Sequence, residues 1–485
     1  MVDIPPEIWF NIADFLSDEE LVRCMGINSL FFHLSMDVLY KKTTIQTNNA
    51  IESTRMLDKL SNSLVAGRVQ CLNLLLQHAS RAEIEQPNNM TRIRQYLQRF
   101  IRPSKLLGSR SGHTPSRAVD VSQSSDLETM LSGFVECFPD HSRIRSLTVE
   151  AELMPMSYNF IPLFTSIRTA FGAQLRTLSL RGRLGLYQGL LESNSSFPQL
   201  KELWLWFPES FRETLHPPVN RDHLTTFVNR LSPHLEILGL YSESVLTSGL
   251  FQQLSIFPSL VHLDVNIDFY TPEDNFNFHK FLLHTSHTLQ KLSIRLYNSK
   301  KEYDTYLKEW FSNCRVDSKY FAKLRSVTIH PTVGGGDVNM QCDFIHLISK
   351  TIEEYNFELK LLDNDDASLV IGALSQCPKL TVLNLSLFAL TITVLDQLAD
   401  AVPNLQSLGI RAGTLLDSTA QFGPSAVFFE ALKRRSYADW KLKDLSIRPG
   451  YRRKANHNTM LAFGRSIPSL SSFFGDGHMD SSSCV

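Results

Sequence analysis

Apolar side chains in residues 4–40 recur at helical spacing, whereas from residue 144 onward they gather into short L-x-x-L-x-L triplets separated by longer amphipathic stretches. Pro5-Pro6-Glu7 places proline where a helix's first N–H has no intrahelical partner and an acid at the positive end of the helix dipole, so a helix is predicted from about Pro6. Ile8, Ile12, Phe15 and Leu16 make one apolar face, with Trp9 and Phe10 beside it. Ser17 and Glu20 form a capping box ahead of a second helix bearing Leu21, Cys24 and Met25, and Asn28 caps a third bearing Phe31, Phe32, Leu34, Leu39 and Tyr40. Three short helices in about forty residues do not make a self-sufficient core, so this unit is expected to need a partner surface.

Downstream, one phrase returns six times: FPQLKELWL at Phe197, SPHLEILGL at Ser232, FPSLVHLDV at Phe257, CPKLTVLNL at Cys377, VPNLQSLGI at Val402 and IPSLSSFFG at Ile467. In each, proline stands two residues before the first leucine, where it ends a helix and sets an extended approach to a strand. Counting copies without proline, triplets begin at Ile144, Leu175, Leu200, Leu235, Leu260, Leu289, Leu324, Leu380, Leu405 and Leu442, with weaker copies at Val69, near Phe357 and at Leu470. Between them run amphipathic stretches at 227–232, 249–257, 278–286 and 395–402. A strand, turn and helix in repetition resemble a leucine-rich-repeat solenoid, in which stacked units bury a continuous core. The family's usual asparagine is mostly missing and most spacings exceed its ~20–29 residues, so an irregular, helix-rich version is expected.

The first forty-five residues also resemble the F-box: Ile4-Pro5, Glu7-Ile8, Ile12, Leu16, Leu21, Cys24, Ile27, Phe31-Phe32 and Leu39-Tyr40 follow its order. Phenylalanine stands at position 31, near which the motif often carries tryptophan. The resemblance implies a trihelical module docking on a Skp-type adaptor, and through it on a cullin and a RING protein of a ubiquitin ligase. Ile4, Pro5, Pro6, Glu7, Ile8, Ile12, Leu16, Leu21, Ile27 and Phe31 occupy motif positions, divided between adaptor contact and the small core in a way the sequence does not separate. The expected fold class is α/β: an N-terminal trihelical F-box followed by a leucine-rich-repeat-like solenoid with one parallel strand per repeat. The domains are expected at 1–46 (F-box), 47–101 (connecting helices and a first repeat), 102–126 (a flexible, serine- and glycine-rich loop) and 127–485 (solenoid).

In each triplet the leucines point into the core, and the residues alternating with them face the opposite, inner side of the sheet. Arg181, Glu202, Trp204, Trp206, Tyr241, His262, Asp264, Lys291, Arg295 and Tyr297 are therefore the candidate substrate contacts, in a row that also takes in Asn266, His330, Arg411 and Arg448. Trp204 and Trp206 lead the set, because aromatic and arginine side chains dominate interface energetics. Cover by residues 207–222 or by the C-terminal tail is the competing account of the tryptophans.

Charge changes this picture little. The 48 basic and 49 acidic residues nearly cancel, so no global field draws nucleic acid or an anionic membrane, and YRRK at 451–454 is a short patch. Seven scattered cysteines without C-x-x-C spacing read as free thiols in a reducing, intracellular compartment, cytoplasmic or nuclear. No stretch has the ~18 unbroken apolar residues of a membrane span. The triple glycine at 332–337 lacks a phosphate-binding fingerprint, and no nucleophile, metal or cofactor signature accompanies His262 and Asp264, so neither catalysis nor a cofactor is expected. Recognition of a protein target for an SCF-type ubiquitin ligase is the leading functional expectation; a non-degradative interaction scaffold with an F-box-like cap is the alternative.

Overall fold

The computed structural model describes residues 5–47, 55–56, 59–60, 62–76, 143–152, 154, 160–192, 197–207, 221–242, 249–267, 272–296, 321–330, 338–415, 426–449 and 457–473. The segments 102–126, 208–220, 332–337 and 451–454, together with Ile4 and Tyr297, lie outside them. The chain divides into two units, Met1–Leu235 and Glu236–Val485.

Unit 1 opens with α1 (Pro6–Asp14), α2 (Asp18–Arg23) and α3 (Ser29–Tyr40). The caps are those the sequence specifies. Ser17 N–H donates to Glu20 Oε2 at 2.8 Å while Glu20 N–H donates back to Ser17 Oγ, and Phe31 N–H donates to Asn28 Oδ1 at 2.9 Å. Phe31 is buried edge-on beneath Trp9, ring centroids 5.7 Å apart, and Ser35 Oγ donates to the Leu21 carbonyl, tying α3 to α2.

α3 runs directly into a strand, β1 (Lys42–Gln46), that the sequence reading did not anticipate and that falls at the end of the segment 1–46 expected as the F-box. Its only cues are the β-branched Thr43, Thr44 and Ile45, without a leucine triplet. β1 pairs in parallel with β2 (Cys71–Leu75), Thr43 opposite Leu72 and Ile45 opposite Leu74. Between them α4 (Ser63–Ala66) leads to Arg68, which donates to the His33 carbonyl at 3.0 Å and pairs with Asp37, fastening α3 to this first repeat.

β3 (Ser146–Ala151), α5 (Ile161–Phe171), β4 (Thr177–Gly182), a 3₁₀ turn at Leu184–Tyr187, α6 (Gln188–Glu192), β5 (Glu202–Phe207) and α7 (Arg221–Leu231) complete the unit. Unit 2 continues with β6 (Ile237–Ser242), α8 (Leu250–Gln253), β7 (His262–Ile267), α9 (Pro272–Thr285), β8 (Lys291–Leu296), β9 (Ser326–His330) and α10 (Val338–Ile348). It ends with β10 (Glu354–Leu362), α11 (Asn364–Leu374), β11 (Val382–Leu390), α12 (Ile392–Ala401), β12 (Ser407–Leu415), α13 (Ala426–Lys433), β13 (Asp444–Pro449), α14 (His457–Ser466) and β14 (Ser472–Phe473). Within each unit the strands succeed one another in chain order and pair in parallel, the arrangement of a leucine-rich-repeat solenoid.

Each of the ten triplets opens a strand two residues after its first leucine, and the three weaker copies are β2, β10 and β14. The prolines act more locally than expected. In five of the six phrases the residue before proline accepts a hydrogen bond from the leucine two residues after it, as Leu200 N–H donates to Phe197 O at 3.1 Å and Leu405 N–H to Val402 O at 3.1 Å. Proline thus takes the second position of a tight turn, the site its fixed φ favours. In the sixth phrase Leu235 donates to Leu231 instead. From each turn two successive N–H groups reach one carbonyl of the preceding strand's entry, as Lys201 and Glu202 reach Arg176 O and Thr381 and Val382 reach Glu353 O. The stretch at 249–257 gives a shorter helix than its pattern suggests: α8 stops at Gln253, after which Leu254 is already extended.

Candidate functional site

Two surfaces stand out from this framework. The first is on the three N-terminal helices. The apolar face of α1 does not point inward: Ile8 and Ile12 are exposed, and Phe15 is 88% exposed. α1 holds to its neighbours through Ala13 and Trp9, on its other side. Phe10, Ile27 (57% exposed), Phe32 and Leu39 are exposed as well. The motif positions that the sequence left undivided therefore separate. Pro5, Pro6, Glu7, Ile8, Ile12 and Ile27 are on the surface, Leu16 and Leu21 are half-buried, and Phe31, at 1% exposure, is a core residue. Phe15 belongs with the surface group, and its i+7 spacing from Ile8 was the signal.

The second surface is the sheet face opposite the leucines. In unit 1, Thr177, Ser179 and Arg181 of β4 lie in register with Glu202, Trp204 and Trp206 of β5, which places the predicted residues side by side. Glu202, Trp204 and Trp206 are half-buried, and the Arg181 guanidinium sits 4.8 Å from the Trp206 ring centroid, a cation–π contact. Arg181 Nε also donates to Glu152, a partner the strand pattern does not reveal because it lies just past β3. From the core side, the Tyr187 hydroxyl donates to the Arg181 carbonyl at 2.7 Å and so fixes this strand end. The next residue, Gly182, has φ +146°, and a Cβ there would stand 2.9 Å from the Ala151 carbonyl carbon, so only glycine fits.

In unit 2, Tyr241 of β6, Asn266 of β7 and Arg295 of β8 form one row across three strands. His262 and Lys291 form the row four residues earlier, with Asp264 and Ser293 between. Tyr241 and Asn266 are buried, His262, Asp264 and Arg295 half-buried and Lys291 exposed. The Tyr241 hydroxyl donates to Asp264 Oδ2 at 2.5 Å, and the Arg295 guanidinium reaches across Asn266 to lie 5.7 Å from the Tyr241 ring centroid. Burial first, then the Asp264 charge, pushes the Tyr241 hydroxyl well above its ordinary range, so it stays a donor. Burial and Lys291 lower the His262 pKa, while Asp264 pulls the other way. His330 is half-buried and Arg411 exposed farther along the same face.

Among the described residues no three His, Cys, Asp or Glu side chains gather as a metal site, and no helix is long and apolar enough to cross a membrane. The thiol of Cys377 is pushed up to about 12 by burial, so it remains protonated.

No protein-family model and no curated protein sequence matches the chain. The chain is similar to several solved structures. A chain of the Rad7 and Elc1 complex in yeast is 13% identical, with 86% of this chain and 94% of that one covered and a TM-score of 0.38. The leucine-rich repeat-containing protein LegL7 from Legionella pneumophila is 14% identical, with 67% and 88% covered and a TM-score of 0.37. A Bacteroides fragilis protein is 12% identical, with 76% and 73% covered and a TM-score of 0.30.

Proposed function

We propose that this chain is the substrate-recognition subunit of an SCF-type ubiquitin ligase, its N-terminal helices docking as an F-box on a Skp-type adaptor and its sheet face holding a protein target. The observation that carries the reading is the outward-facing apolar side of α1, with Ile8, Ile12 and Phe15 exposed, as is Ile27 after α2. Apolar side chains at helical spacing that face solvent mark a surface built to be covered. Their order along the chain is also that of the F-box motif. In this reading the adaptor bridges to a cullin and a RING protein, and the chain itself breaks no bond. It works by tethering, which raises the target's effective concentration near the ubiquitin-loaded enzyme.

The test is calorimetric titration of the purified chain with a Skp-type adaptor, wild type beside Pro5→Ala combined with Ile8→Asp. Micromolar or tighter binding (about −8 kcal/mol or better) that disappears in the double variant, with its circular dichroism unchanged, supports the reading. No binding by the wild type overturns it. Turnover of a bound target in the reconstituted ligase separates a substrate receptor from a non-degradative scaffold.

A further inference from the structure

The row Tyr241, Asn266 and Arg295 is built unlike an ordinary solvated sheet face. Asn266 is 3% exposed, yet its side-chain oxygen has no hydrogen-bond partner. The second carboxylate oxygen of Asp264 and Nε of Arg295 are likewise buried and unpartnered. Buried polar groups left unsatisfied are rare, because each forfeits its hydration without return. Here three of them converge around one ring, since Tyr241 hydrogen-bonds Asp264 with its hydroxyl and carries the Arg295 guanidinium over its face.

We propose that this cluster is a recognition pocket for a side-chain carboxamide, a glutamine or asparagine presented by the protein target; this rests on reading the sheet face as the target-binding surface. Two unsatisfied acceptors, Asn266 Oδ1 and Asp264 Oδ1, call for an NH₂ group, and one unsatisfied donor, Arg295 Nε, calls for a carbonyl. A carboxamide supplies both from one planar group. An anion is opposed by Asp264 and a cation by Arg295 and Lys291, so a neutral donor–acceptor group is the one that offends neither. Entry requires that Arg295, which reaches past Asn266 to the Tyr241 ring, swing aside. Among the described residues no carboxylate pairs with its guanidinium, which rests on Tyr241 through a cation–π contact. A competitor without a carboxamide would leave the pocket's polar groups desolvated and unpaired, which is how such sites discriminate.

The experiment is selection of a phage-displayed random peptide library on the full wild-type chain, followed by binding of the enriched peptides to Asn266→Leu and Arg295→Met and thermal melts of both variants. Enriched peptides are expected to share a glutamine or asparagine and to lose about tenfold or more in affinity on each variant, the loss of a desolvated hydrogen bond. The Asn266→Leu chain is expected to melt no lower than wild type, because the amide oxygen it removes is buried and unsatisfied in the free protein. Absence of carboxamide enrichment, equal binding to Asn266→Leu, or a clear drop in its melting temperature overturns the proposal. The selection needs no adaptor, so its failure and a failure of adaptor binding are read separately.

Discussion

Phe31 and Ile8 lie on neighbouring helices and have opposite consequences for stability and binding. Phe31 fills the small core under Trp9, so Phe31→Ala is expected to cost about 3–5 kcal/mol of local stability. Ile8 faces solvent, and Ile8→Asp is expected to change stability by less than about 0.5 kcal/mol while removing adaptor binding. Amide hydrogen exchange of α1–α3 in each variant reads both: exchange should accelerate throughout the three helices for Phe31→Ala and stay at the wild-type rate for Ile8→Asp. His262 yields a second residue-scale expectation. Its pKa in the folded chain is depressed by burial and by Lys291, so between that value and the ordinary value of about 6.5 the unfolded chain binds the extra proton. Stability from this group is therefore present above about pH 6.5 and is lost as pH falls below it. His262→Gln removes that loss. Its urea midpoint should fall less than that of wild type between pH of about 7.5 and about 5.5, and an equal fall in both would contradict the assignment.

At the scale of elements, the polar row of β9–β12 is held by side chains as well as by the backbone ladder. Asn356 Nδ2 donates to Thr328 Oγ1 at 3.0 Å, Asn384 donates to Asn356 Oδ1, and Gly409 stands next in register. A Cβ on Gly409 would lie 1.8 Å from Asn384 Oδ1. Gly409→Ala therefore displaces the Asn384 amide from the row, at an expected cost of about 1–3 kcal/mol. In a double-mutant cycle with Asn384→Ala the penalty of Gly409→Ala should largely vanish, because the displaced group is gone; an undiminished penalty would place the strain in the backbone. The strands and proline turns of these repeats were legible in the sequence because leucine spacing and Pro φ are local properties. What joins Thr328, Asn356, Asn384 and Gly409 is register between successive strands, 28 residues apart in the two hydrogen-bonded steps, which no local window of sequence carries. The same limit explains α1. Its periodicity shows that Ile8, Ile12 and Phe15 share a face, but which way that face turns is decided by Trp9 and Ala13 meeting Phe31 and its neighbours. β1 escaped notice because Thr43-Thr44-Ile45 lacks the leucines that mark the other strands.

At the scale of the molecule, a solenoid's cooperativity is set by nearest neighbours: within each unit the described strands pair with those before and after them, so stability should decline toward a terminal repeat. In unit 2 the nine-residue β11 and β12 are paired on both sides, whereas the two-residue β14 meets β13 alone. Amides of β11 and β12 are expected to exchange slowest and those of β14 fastest, in a gradient and not as one all-or-none unit. The same property bears on how a substrate receptor built this way would work. If tethering alone transfers the target, adaptor binding should protect α1, α2 and α3 and, through Arg68 on Asp37 and His33, the adjoining β1 and β2. Protection of β6–β8, which carry the Tyr241, Asn266 and Arg295 row, should stay unchanged, since tethering needs no coupling between the two surfaces. Exchange measured with and without saturating adaptor decides this. Unchanged rates at β7 leave the adaptor and target surfaces energetically independent, as proximity requires; a shifted rate there would mean a coupling free energy between them, and the receptor would have to be treated as allosteric.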